Sequence, residues 1–223
     1  MKRFINLSKV EGVASRQAHA DLPEGTFERE IGKEGFYGPS ALIHHKHPPT
    51  GWIDWDGPLK PRAFDLNQLP KGSSGNWVNN NILSNAHCRV NWAASEGCMD
   101  HLFRNGDGDE LLFIHNGNGQ LYCDFGCLDI EKGDYVLLPR GTMWRTEFSG
   151  RAEILMIEAT NSSFGLPDKG LIGNHAFFDP AMLDTPEIDE RFLSQQTKTG
   201  NVENWTVLIK RRNAISTVTY PYN

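Results

Sequence analysis

No stretch of this chain is apolar for the about 20 residues that a membrane-spanning helix needs. Its start, Met1-Lys2-Arg3-Phe4-Ile5-Asn6-Leu7, has no apolar signal core behind its two positive charges. A cytoplasmic address is therefore expected. Positive charge is also scarce: 22 Lys and Arg stand against 28 Asp and Glu, a net charge of −6 over 223 residues. That balance argues against nucleic-acid or anionic-membrane partners, because phosphate binding needs a basic face. Cysteine is limited to Cys88, Cys98, Cys123 and Cys127, with no C-x2-C pair, so a zinc ribbon has no support. Reduced, half-buried thiols are the simpler expectation. Ser15, Ser40 and Ser73 lie outside any nucleophile elbow, which leaves Ser/His/Asp hydrolysis without a candidate. Gly and Pro are plentiful, at 22 and 12 residues, and with abundant aromatics they suit a turn-rich β protein.

The strand signals begin in earnest at Leu111. Leu111 to His115 reads as a strand, and Asn116-Gly117-Asn118-Gly119 supplies residues that accept positive φ in a hairpin. Leu121 to Phe125, Cys127 to Ile130, Tyr135 to Leu138, Met143 to Phe148 and Ala152 to Ala159 follow, each bounded by turn residues such as Gly126, Lys132-Gly133-Asp134 and Ser149-Gly150. Such close spacing predicts an all-β sandwich or jelly roll. Before this core, residues 1–75 read as an irregular N-terminal layer with edge strands, ending at an exposed Lys71 to Asn76 loop. Residues 76–160 read as the barrel core. Residues 161–223 read as a C-terminal extension, with a helix at 186–196, capped by Thr185, and strands at 205–210 and 216–220.

Gly133 to Trp144 has the spacing G-x5-P-x-G-x2, the start of the second signature of the cupin barrel. A metal-binding cupin places histidine next; here it is Trp144. The first signature, G-x5-H-x-H-x3-4-E-x6-G, is met only in its second half, by Glu110 and Gly117. Its histidine positions fall on Phe103 and Asn105. A non-haem iron site needs two imidazoles and a carboxylate on one face, so Glu110 alone is insufficient. Arg104 is expected either to pair with Glu110 inside a former metal pocket or to be a surface neighbour of no consequence. Arg104, Glu110, Arg140, Trp144 and Arg145 are the candidates for lining a barrel pocket.

Other clusters are weaker. His44-His45-Lys46-His47 puts His45 and His47 on one side of any strand, as two-imidazole ligation requires, yet no third ligand is spaced to match. A structured turn or an interface is the favoured reading. His87, His115 and His175 are expected to be packed or capped. Gly106-Asp107-Gly108-Asp109 has the look of a calcium loop but lacks its closing Glu.

Taken together, Gly35 to Pro39, His44 to Trp52, Pro61 to Leu66, Asp109 to His115, Gly133 to Gly141 and Thr217 to Asn223 resemble homogentisate 1,2-dioxygenases. The resemblance implies Fe(II)- and oxygen-dependent opening of homogentisate to maleylacetoacetate in tyrosine and phenylalanine breakdown, by a trimer or paired trimers. It places the iron ligands in a C-terminal half that this sequence does not contain, and the chain corresponds to the N-terminal, iron-free half. No catalytic residue, metal ligand or cofactor is then expected here. The expected partners are the catalytic half, neighbouring subunits and an aromatic substrate. The alternative is a stand-alone metal-free cupin that binds or isomerises a small polar ligand.

Overall fold

Short strands and tight reversals dominate the computed structural model, which describes residues 19–34, 37–70, 78–166, 179–199 and 204–221. The Lys71 to Asn76 loop, His175, Ser15 and Ser73 lie outside the described residues. The chain divides into two units, Met1–Ala63 and Phe64–Asn223. In the first, β1 (Phe27–Glu34) and β2 (Tyr37–His45) form an antiparallel pair, with Phe27 opposite His45 and Arg29 opposite Ile43. Because β2 stops at His45, one strand does not carry both His45 and His47, and the two-imidazole arrangement is not realised. His44 instead lies 3.7 Å from the Glu28 carboxylate.

The second unit is a curled sheet of ten strands among the described residues. These are β3 (Val78–Ser84), β4 (Cys88–Cys98), β5 (Leu102–Asn105), β6 (Gly108–Asn116), β7 (Asn118–Cys123), β8 (Gly126–Glu131), β9 (Tyr135–Leu138), β10 (Met143–Thr160), β11 (Trp205–Arg211) and β12 (Ala214–Tyr220). A helix, α1 (Glu190–Thr199), precedes β11. The fold is thus all-β and cupin-like, as the strand spacing indicates. β10 is the hub. Its first half pairs with β7 and β5, its second half with β6, and β4 runs along it from Cys88 to Cys98. One strand with different partners along its length forces the sheet to curl around a core. Leu112, Ile114, Leu121 and Ile154 are fully buried there, with Trp144 and Phe148 packed among them.

The opposite face of the sheet is also apolar. Cross-strand neighbours Leu83, Val90, Ile157, Leu111 and Leu137 form one row, and Trp92, Leu155, Phe113 and Tyr135 form a second. Leu83 and Tyr135 are 66% and 67% exposed, so the rim of this face is bare.

Three sequence boundaries move. Ser149-Gly150 does not end a strand, because β10 absorbs the pair as an irregularity in its pairing with β4, between Glu147 and Arg151. The helix begins after Asp189, not at Pro186. Asp189 caps it by accepting from the Phe192 N–H at 2.9 Å, while Glu187 is held extended by a two-way backbone bridge with Cys127. That bridge runs so close to Gly126 (φ +128°) that a Cβ there would lie 2.4 Å from the Glu187 carbonyl oxygen. Finally, the sheet continues past residue 160. β11 pairs in parallel with β5, Val207 opposite Leu102 and Lys210 opposite Asn105, and β12 pairs with β11.

Candidate functional site

Strand alternation decides which residues meet inside the barrel. Phe103 and Asn105 of β5, Glu110 of β6, and Trp144 and Glu158 of β10 face inward. Glu110 and Glu158 occupy directly opposed positions on neighbouring strands, and both are buried. Two carboxylates so placed repel unless something separates them. Asn105 does this, donating from Nδ2 to Glu110 Oε1 at 3.0 Å and to Glu158 Oε2 at 2.7 Å. Trp144 Nε1 reaches Glu110 Oε2 at 3.4 Å. Phe103 stands edge-on to Trp144, 5.7 Å between ring centres. The four positions where a metal cupin carries its ligands therefore come together here, filled by an amide, a carboxylate, an indole and a phenyl ring.

The two acids fare differently. Lys210 of β11 donates to Glu158 at 2.5 Å and to Asp107 at 3.0 Å, and Thr160 Oγ1 donates to Glu158 at 2.7 Å. These donors hold Glu158 below the usual carboxylate range, against the opposing effect of burial. Glu110 has fewer donors. Burial, with the Glu158 charge added, pushes it up to about 7. Asp107 accepts the backbone N–H groups of Arg212 (2.6 Å) and Asn213 (2.8 Å) as well as Lys210. They outweigh burial and bring it down to about 2. The Asp107 segment thus fastens the β11–β12 turn. Asp109 in turn accepts from Arg140 N at 2.8 Å and Phe164 N at 2.9 Å, which anchors the loop carrying Pro139 and Gly141.

Arg104 takes no part. Adjacent to Phe103 and Asn105, it points to the other face of β5, where its guanidinium approaches Met143 Sδ at 4.0 Å. No ion pair joins it to Glu110 among the described residues, so the former-pocket ion pair is not formed. Arg145 likewise faces away from Trp144's side and lies over the Tyr122 and Trp205 rings, 5.5 and 5.3 Å from their centres. Arg140 is exposed. Of the five sequence candidates, Glu110 and Trp144 sit at the inner site. Glu158, Asp107 and Lys210 were missed. A charged Glu158 falling in phase with inward Ile154 and Met156 is the signal that marks it.

Beside this cluster opens a cavity of about 440 Å³, whose walls include Phe103, Trp144, Met156, Arg89, Asn91 and Lys210. No carboxylate lines it among the described residues. The donor set at the cupin positions does not fit iron: Phe103 offers no ligand atom, the Trp144 indole N–H and the Asn105 amide N–H2 both point donors at Glu110, and burial keeps Glu110 neutral up to about pH 7. No group of three or more His, Cys, Asp or Glu side chains suited to a metal occurs among the described residues.

Residues 76–206 match the family model described as homogentisate 1,2-dioxygenase N-terminal. The chain belongs to this family. Its curated relatives include the homogentisate 1,2-dioxygenases of Bradyrhizobium diazoefficiens (28% identical over 151 residues, 66% of this chain and 33% of that protein) and Rhizobium etli (28% over 144 residues, 62% and 31%). A Saccharolobus solfataricus protein, provisionally named a dioxygenase, is 27% identical over 152 residues, 61% of this chain and 40% of its own length. The chain thus spans about a third of the length of the named homogentisate dioxygenases it matches. Among solved structures, a cupin-superfamily protein of Desulfitobacterium hafniense overlaps 45% of this chain and 93% of its own at 16% identity, with a TM-score of 0.39. No helix among the described residues is long and apolar enough to cross a membrane.

Proposed function

We propose that this chain is the iron-free half of a homogentisate 1,2-dioxygenase-like enzyme. In this reading it packs against a catalytic half that binds Fe(II) and opens homogentisate to maleylacetoacetate with oxygen. The observation that carries the reading is the closure of the cupin ligand positions by Asn105, Glu110, Trp144 and Phe103, within a family whose named members are about three times longer than the matched segment. The two apolar rows on the outer sheet face, left bare at Leu83, Tyr135 and Leu137, support a packing role, since exposed apolar surface that extends a partly covered face marks a contact surface. Oxygen uptake with homogentisate and Fe(II) tests this. The expected result is none from the chain alone and turnover once a separately expressed C-terminal half is added. Ring cleavage by the chain alone would overturn the reading.

The cavity beside Trp144 favours a second role, the binding of a small polar ligand inside a metal-free barrel. Such binding is compatible with the first role and needs no iron.

A further inference from the structure

Ring cleavage in a partner half leaves the cavity of about 440 Å³ without a use. Its size is that of a small-molecule site, and its lining is one-sided in charge. Arg89 and Lys210 reach it, but no Asp or Glu side chain does among the described residues. Lys210 is spent, bound to Glu158 and Asp107 behind the wall. Asp107 is further compensated by Arg211 at 3.8 Å. Arg89 is the surplus. Its Nε lies 4.0 Å from Glu158, and its terminal nitrogens have no hydrogen-bond partner among the described residues.

Asn91 is two residues along β4 on the same face, roughly 7 Å away by strand geometry. It accepts from Asn81 at 2.9 Å, which orients its own amide N–H2 away from that bond and without a partner among the described residues. A guanidinium and an amide donor that share one strand face suit an oxyanion, above all a carboxylate, which accepts from both. Below them Phe103, Trp144 and Met156 make an apolar, partly aromatic floor.

We propose that the cavity binds a small monocarboxylate with a flat apolar body, its carboxylate held by Arg89 and Asn91 and its body against Trp144 and Phe103. The proposal rests on the second reading above, that the cavity is a binding site, and not on ring cleavage. Titration calorimetry on the whole chain tests it with three probes: benzoate, its neutral isostere benzamide, and the non-planar cyclohexanecarboxylate. Benzoate is expected to bind at least about 10-fold more tightly than benzamide, the size of one charge-assisted hydrogen bond lost, and more tightly than cyclohexanecarboxylate. Arg89→Gln should weaken benzoate by about 10-fold or more and leave benzamide unchanged, and Asn91→Ala should weaken benzoate less. Equal binding of benzoate and benzamide to the unmodified chain overturns the acid assignment while leaving a binding site. Unchanged benzoate affinity in a folded Arg89→Gln protein does the same. Failure of all three probes at millimolar concentration overturns both the proposal and the reading beneath it. The three probes are compared on the unmodified chain, so that comparison stands whether or not either variant folds.

Discussion

The inner faces of β6 and β10 change character along their length. At one end Leu112 lies opposite Met156, and Ile114 lies opposite Ile154. At the other, Glu110 lies opposite Glu158. The apolar end is stabilised by removal from water, a non-directional term of roughly 25 cal/mol per Å² that tolerates small rearrangements. The polar end holds only if every donor finds its acceptor, because an unpaired buried charge costs several kcal/mol. One pair of strands thus contains a region insensitive to pH and a region governed by it.

Lys210→Met should do the most damage, about 3–5 kcal/mol, because it removes the one ammonium group hydrogen-bonded to both buried acids and leaves them only the more distant Arg89 and Arg211 guanidinium groups. Urea unfolding at neutral pH measures the loss, and part of it should return on acidification as the stranded carboxylates protonate. Leu112→Ala should cost about 2–5 kcal/mol through its cavity, and the same amount at both pH values. If the two variants respond to pH alike, the division between the ends fails.

Glu110→Gln isolates the pH term. An ordinary Glu ionises near 4.5, but folded Glu110 does so at about 7. Between those values the folded chain keeps a proton that the unfolded chain has released. Stability therefore falls as pH rises through this window, by about 3 kcal/mol at most, and the Gln variant should not show that fall. Asp107 works on the acid side. Lowered to about 2, it adds stability that is complete above its ordinary value near 4 and is lost as pH drops toward 2. Arg104→Gln should have the smallest effect, within about 1 kcal/mol, with no change in the pH profile. A large change there would mean that Arg104 senses Glu110 after all.

Much of the fold could be read from local chemistry. Tyr135 to Leu138 is a strand with the expected bounds, and Gly117, at φ +112°, turns β6 into β7 where the Asn-Gly signal put the reversal. Local signals failed where pairing overrode them. Ser149-Gly150 resembles a turn, yet partners on both sides keep β10 running. Thr185-Pro186 resembles a helix start, but the Cys127–Glu187 bridge claims that segment first. The site divides the same way. Signature spacing brought Phe103, Asn105, Glu110 and Trp144 together because each is fixed by short loops. Lys210 arrives by a parallel pairing between β11 and β5 that no local pattern encodes. Asp107, within a stretch that suggests a calcium loop, is used to hold a distant turn.

The position of Lys210 in the chain also bears on how folding proceeds. Its partners Asp107 and Glu158 lie 103 and 52 residues earlier, whereas the hairpins of β6 to β9 close over short loops. During synthesis β3 to β10 emerge before β11, so Glu158 and Asp107 lack the ammonium group that bonds both until residue 210 follows. Such distant closures form late. Arrival of β11 is thus the step that supplies the donor both acids share, and a chain stalled before it should remain loosely closed at its polar end, open to proteolysis until residue 210 docks.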